Sequence, residues 1–181
     1  MKKTVVVYQS RYGATKRYAE WIARALSCDL FERAEVKPED LAAYETVVYG
    51  GGLYAGGVAG MSLITRSPEA FSGKNLVLFT CGLADPEDPE NVRRIREGVE
   101  WALPEPLRGR AQLFHLRGAM DYAKLGAVHR MMMAMVHRAV KSRSKNGADA
   151  EARAMLDTYG KAVDFIDFRT AEPLADFVRG L

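Results

Sequence analysis

Apolar residues fall in short, dense runs along this chain, and the intervals between the runs carry helical spacing. Val5-Val6-Val7-Tyr8 is the first run, continuous enough to predict a strand buried on both faces. Beyond it Tyr18, Ile22, Ala23 and Leu26 recur at helical spacing, with no proline before Pro38. Cys28–Ala34 reads as a second strand, mixed in polarity and so placed at an edge. Pro38-Glu39-Asp40-Leu41 opens a short helix, with proline at a tolerated early position. Thr46-Val47-Val48-Tyr49 predicts a third strand that ends in Gly50-Gly51-Gly52, and Leu76–Thr80 a fourth that ends near Cys81-Gly82-Leu83. Asp88 and Pro89 start a helix whose face carries Val92, Ile95, Val99 and Ala102 until Pro104. Gln112–Leu116 is a fifth strand, leading into Arg117-Gly118-Ala119-Met120. Gly126–Lys141 then reads as an amphipathic helix stopped by Asn146-Gly147, followed by helices around Asp149–Tyr159 and from Thr170 onward.

Strands alternating with helices predict one α/β domain over residues 1–181, a doubly wound five-stranded parallel sheet with helices on both faces. Ligands of such sheets sit at the carboxyl ends of the strands, where the strand order reverses. Three turns rich in glycine or hydroxyls are predicted there: Ser10–Thr15, Gly50–Gly57 and Thr80–Asp85.

Composition adds the setting. A hydrophobic content of 48% with 27% charged residues is ordinary for a globular domain. Met1-Lys2-Lys3-Thr4 runs straight into a strand, so no secretory signal is expected. No apolar stretch approaches the ~20 residues of a membrane span. Cys28 and Cys81 are too few for a metal cluster or a disulfide framework, so a reducing, cytoplasmic location is expected. Charge is unevenly spread: from Arg108 to Lys145 nine Lys or Arg face the single acid Asp121, a net +8 against −5 for the remainder. That segregation points to an anionic partner near one region or to a solvated basic face, and nothing in the whole-chain charge calls for nucleic acid.

The first turn carries the clearest chemistry. A helix start offers amides without intrahelical partners and the positive end of the helix dipole. Ser10, Tyr12 and Thr15 can add hydroxyls, and Gly13 permits close approach of the backbone. Alone, Ser10-Arg11-Tyr12-Gly13-Ala14-Thr15 suits a nucleotide, a sugar phosphate or no ligand at all.

The three turns together resemble the flavodoxin family, which binds FMN at the ends of its first, third and fourth strands. The family's phosphate loop reads Ser/Thr-x-Thr-Gly-x-Thr; Ser10, Gly13 and Thr15 match, and Tyr12 stands where threonine is usual. Gly52-Leu53-Tyr54-Ala55-Gly56-Gly57 is similar to the loop that carries an aromatic residue against the flavin ring, which makes Tyr54 the ring platform. Thr80-Cys81-Gly82-Leu83-Ala84-Asp85 corresponds to the loop on the other side of the ring, without the tyrosine many flavodoxins place there. The resemblance implies FMN held by Ser10–Thr15, Gly52–Gly57, Thr80–Leu83 and Asp85. The layout beyond the fifth strand, a Gly-Ala pair and then a Met- and base-rich helical insert over about 122–160, resembles the flavodoxin-like quinone-dependent protoporphyrinogen oxidases. That likeness implies a quinone or porphyrin-like small molecule as partner, met by Arg130, Arg138, Lys141, Arg143 and Lys145.

Competing readings attach to several of these residues. Gly50-Gly51-Gly52-Leu53-Tyr54-Ala55 fits the G-x-G-x-x-A pattern of a dinucleotide site, but it follows the third strand, and no acidic residue ends a following strand about 20 residues on. Cys81 reads as a small core residue rather than a redox thiol. His129 and His137 lie too far apart for one metal, and His115 stands alone. On the helix Gly126–Lys141, Val128, Met131, Met132, Met135, Val136 and Ala139 share one face. They are either a core-packing face or an adaptable surface suited to reversible contact with a membrane, a quinone or a porphyrin. The expected function is an FMN-binding oxidoreductase, with protoporphyrinogen and a quinone as its reactants. Its alternatives are an electron carrier docking on a redox protein and a flavin-free binding module.

Overall fold

The computed structural model describes residues 3–54, 57–143 and 156–181. Ala55, Gly56, Lys145, the predicted stop at Asn146-Gly147 and most of the predicted helix Asp149–Tyr159 lie outside them, as does the side chain of Arg143.

Five parallel strands form the body: β1 (Thr4–Gln9), β2 (Asp29–Glu32), β3 (Thr46–Tyr54), then β5 (Asn75–Gly82) and β6 (Gln112–Arg117). Their spatial order is β2-β1-β3-β5-β6, so the chain reverses direction across the sheet between β1 and β3. A two-residue strand, β4 (Gly57–Val58), folds back antiparallel on the end of β3. Alternate residues of each central strand enter opposite layers. Val6, Val48, Val77 and Leu116 meet Tyr18, Ile22 and Ala23 of α1 (Ala14–Leu26) and Leu174 and Val178 of the last helix, α5 (Glu172–Arg179). Val5, Val47, Leu78 and Leu113 meet Leu63 and Ile64 of α2 (Ser62–Thr65) and Val99 of α3 (Pro89–Ala102). Both faces are covered, which is why the strands read as unbroken apolar runs.

Several elements depart from the predicted bounds. The edge strand is shorter than Cys28–Ala34, because Ser27 ends α1 in the left-handed conformation and Arg33–Glu35 turns as a 3-10 helix. Pro38–Ala43 is likewise 3-10, and Phe168–Ala171 forms a 3-10 turn before α5. The larger difference lies in Gly50-Gly51-Gly52, which is strand and not turn: Gly50 pairs with Tyr8 and Phe79, and Gly52 with Cys81. The glycines answer a packing demand. A β-carbon on Gly50 would meet the Phe79 ring, and one on Gly51 the Val58 side chain.

The insert after β6 begins and ends as a ribbon, β7 (Ala119–Asp121) antiparallel to β8 (Ala162–Asp164). Between them α4 runs over Ala127–Arg143. Among the described residues no helix is long and apolar enough to cross a membrane.

Candidate functional site

The end of β1 releases the chain into Ser10–Gly13, where the Gly13 amide donates to Ser10 Oγ at 3.1 Å. Gly13 takes φ +89° as the residue before α1, a conformation that a side chain disfavours, although the space around it is open. No side chain caps α1, so its first amides present their donors at the carboxyl edge of the sheet. This donor set fits a phosphate. Thr15 contributes differently from its expected part: its side chain is buried beneath the loop and not offered at its surface.

Tyr54 closes the mouth of this loop. Its ring lies back over Gly52, where a β-carbon would come within 2.7 Å of the phenol oxygen, so only glycine at 52 admits it. The Arg11 guanidinium sits 5.4 Å over the ring. Burial pushes the Tyr54 hydroxyl up to about 12. Tyr12 meets Tyr54 edge-on, with centroids 5.6 Å apart and planes at 77°. Leu53 packs on Gly82, which is the last residue of β5 and not yet turn, and Gly57 pairs with Tyr54 through β4. Arg11, Tyr12, Gly13, Gly52, Leu53, Tyr54, Gly57 and Gly82 therefore converge. The backbone there suits the edge of a flat ring, and Tyr12 and Tyr54 supply aromatic surface. A ring entering between β3 and the third turn has to turn Tyr54 off Gly52.

Other predicted residues point elsewhere. Cys81 is buried with Phe79 and Leu116, and burial pushes its thiol up to about 12, so it is no thiolate at neutral pH. Ala14 packs in the same layer. Thr80 turns to the opposite face and meets His115 Nδ1 at 2.8 Å. Burial, with Arg96 nearby, lowers that imidazole to about 4, which keeps it neutral. Asp85 braces the third turn: its carboxylate accepts from Arg117 Nη1 at 2.9 Å and from the Glu87 amide at 3.0 Å.

Sequence reasoning missed the residues that bind the insert to these loops. Arg117 Nε donates to the Leu83 carbonyl at 3.2 Å, and its guanidinium stacks 3.9 Å over the Phe165 ring. Tyr18 of α1 donates to the Arg117 carbonyl at 2.9 Å and accepts from the Asp167 amide at 3.1 Å. Arg17 pairs with Asp164 of β8 at 2.7 Å. Inside the insert, Met120, Tyr122 and Leu125 form a small core against which Tyr12, Leu83, Met133 and Tyr159 pack. Tyr122 meets Tyr159 at 5.2 Å, and Tyr159 stacks on His137 of α4 at 3.9 Å. An unbroken series of rings and side chains thus joins Tyr12 and Leu83 of the first and third turns to α4. Only Gly118 hinted at this in sequence; it sits where a β-carbon would come within 2.7 Å of Cys81 Sγ.

Met131, Met132 and Met135 of α4 do not pack as core. Met131 and Met135 are 64% and 65% exposed and Met132 38%, so this part of the predicted face looks outward, away from the core; the side chains of Val128 and Val136 lie outside those described. The inward side is Met133, Ala134, His137 and Val140. Arg130, Arg138 and Lys141 are exposed on the same helix.

A family model described as a flavodoxin domain matches residues 5–146. Comparison with curated protein sequences returns no match. Among solved structures, a flavodoxin from the domain Archaea is 20% identical with a TM-score of 0.39, over 62% of this chain and 84% of its own. Oxidised flavodoxin 2 from Bacillus cereus is 21% identical with a TM-score of 0.38, over 64% and 85%. A flavoprotein in complex with FMN from Lactobacillus acidophilus NCFM is 14% identical with a TM-score of 0.46, over 65% and 93%.

Proposed function

This chain belongs to the flavodoxin-domain family, and from that premise we propose that it is an FMN-dependent oxidoreductase whose insert receives the second reactant. Bound flavin supplies electron transfer in single or paired steps; the protein supplies binding, orientation and exclusion of water. One observation carries the reading. Gly13, at φ +89°, opens an uncapped α1 directly beside the glycine-walled ends of β3 and β5. The amides from Gly13 onward would hold the phosphate with Arg11 nearby, and Tyr54 and Tyr12 would flank the ring. Gly52 and Gly82 would admit its edge to the backbone.

The finer assignment is oxidation of protoporphyrinogen with a quinone as acceptor. It is supported by an insert that packs on Tyr12 and Leu83 of the cofactor loops through Met120, Tyr122 and Met133. The same insert carries exposed Arg130, Arg138 and Lys141, cations suited to the carboxylates of a porphyrin. Arg143 and Lys145, expected on the same flank, lie outside the described side chains.

A visible spectrum of the purified protein, with FMN titration, tests the cofactor. A colourless protein that takes up no FMN would be a flavin-free binding module. Anaerobic mixing of the FMN-loaded protein with protoporphyrinogen and menaquinone tests the reaction: porphyrin fluorescence should rise above that of a flavin-free control. No rise, with steeply salt-dependent electron transfer to a reductase, would return the protein to the electron carriers.

A further inference from the structure

Helix α4 is apolar on two sides. Inward, Met133 packs against Met120, Tyr122 and Leu125, and His137 stacks on Tyr159. Outward, Met131 and Met135 are one turn apart and form a ridge, with Met132 beside them and Ala139 continuing it. Arg138, three residues from Met135, stands on the ridge line, while Arg130 and Lys141, about three turns apart, share one border of it. From Ala127 to Arg143 the sequence contains no Asp or Glu.

Three features decide what fits this surface. The cations, with no acid on the helix, select an anionic partner. The surface is a convex ridge rather than a groove, so it suits a phase that moulds around side chains; methionine, unbranched and polarisable, adapts to such a phase. A second copy docked face to face would bring Arg130 and Arg138 against their own equivalents, which opposes self-association here. A helix that exposes methionines beside cations and is too polar to cross a bilayer suits the bilayer interface.

We propose that the outer face of α4 docks on an anionic lipid surface, with Met131, Met132 and Met135 among the acyl chains and Arg130 and Arg138 at the phosphates. The inward side of the same helix reaches the loops holding Tyr12 and Leu83, so docking sets the cofactor edge close to the lipid. Docking does not depend on the reaction proposed above: a chain unable to oxidise any porphyrin would still partition.

The test is co-sedimentation of the full chain with phosphatidylglycerol-containing vesicles and with phosphatidylcholine vesicles. Partitioning should be at least about tenfold stronger on the anionic vesicles and should weaken in high salt. Met131→Gln with Met135→Gln should lower it by about tenfold while leaving circular dichroism unchanged, since both side chains face solvent. In a Trp101→Phe background, Met135→Trp should show a blue-shifted emission on the anionic vesicles. Absence of binding, binding indifferent to the two methionine changes, or no emission shift would overturn the proposal. Capture by polyglutamate in preference to vesicles would also overturn it and make the face a protein-docking surface.

Discussion

Helices α1 and α4 look alike in sequence, each with apolar residues at helical spacing and a cationic flank, yet the structure uses them in opposite ways. In α1 the apolar stripe of Tyr18, Ala19, Ile22 and Ala23 is buried against the sheet. In α4 the stripe of Met131, Met132 and Met135 faces solvent, and the helix is held from behind by Met133 and His137. The first helix is part of the body that positions the Ser10–Gly13 turn. The second hangs from that body by a β-ribbon and keeps its richest apolar surface available. Periodicity says that a helix has an apolar face; only the neighbours say whether that face is core or contact.

The comparison breaks most visibly in stability. Truncating Ile22→Ala in α1 should cost about 2–4 kcal/mol in denaturant unfolding, whereas Met135→Ala in α4 should change it by less than about 0.5 kcal/mol. Similar losses at both positions would mean that α4 packs as core. Acid should act next, and on the sheet side. The neutral His115 imidazole is preferred in the folded state, since its pKa falls from 6.5 to about 4. The unfolded chain therefore takes up the proton first, and stability present above pH 6.5 is lost as pH falls toward 4. The loss should be on the order of 1–2 kcal/mol by pH 5 and absent in His115→Gln. Thermal unfolding measured across that range would decide it; an unchanged slope in the variant would exclude His115.

At the cofactor loops, Tyr54→Ala should weaken FMN binding by roughly 5–30-fold, about 1–2 kcal/mol, read by flavin fluorescence quenching. Unchanged affinity would remove Tyr54 from the site. The smallest effect sharpens the joint between the two regions. Arg17 and Asp164 link α1 to β8 at 2.7 Å, but both side chains are about half exposed. Asp164→Asn should therefore cost less than about 0.5 kcal/mol, and a larger loss would mean that the ribbon depends on this pair.

Much of the body was legible because unbroken apolar runs in β1, β3 and β5 have few other uses. The geometry of the first turn was legible for a related reason: a buried strand, one glycine and a helix leave the amides only one direction in which to point. The glycine run of β3 was not. A glycine required because Phe79 crosses Gly50 looks the same in sequence as one required by a turn, and the packing partner lies far along the chain. Nor could the orientation of α4 be read. With Met131, Met132, Met133, Met135 and Val140 spread around the helix, no single face dominates. The side that turned inward was chosen by Tyr159 and Tyr122, which periodicity does not see. The bracing role of Arg117 was hidden for the same reason, since its partners Leu83, Asp85 and Phe165 come from distant turns.

The base of the insert has a consequence for how this architecture changes over time. The chain leaves at Gly118 and returns at Phe165, whose amide donates to the Gly118 carbonyl at 3.1 Å. Everything between them is a loop whose ends already touch, and the entropy of closing such a loop rises by only about 0.6 kcal/mol for each doubling of its length. Segments can therefore be lengthened, shortened or exchanged above the ribbon with little penalty to the sheet below. The fold offers an evolutionary socket at the rim of the Ser10–Gly13 turn and the end of β5, where a new specificity can be grafted without rebuilding the sheet beneath.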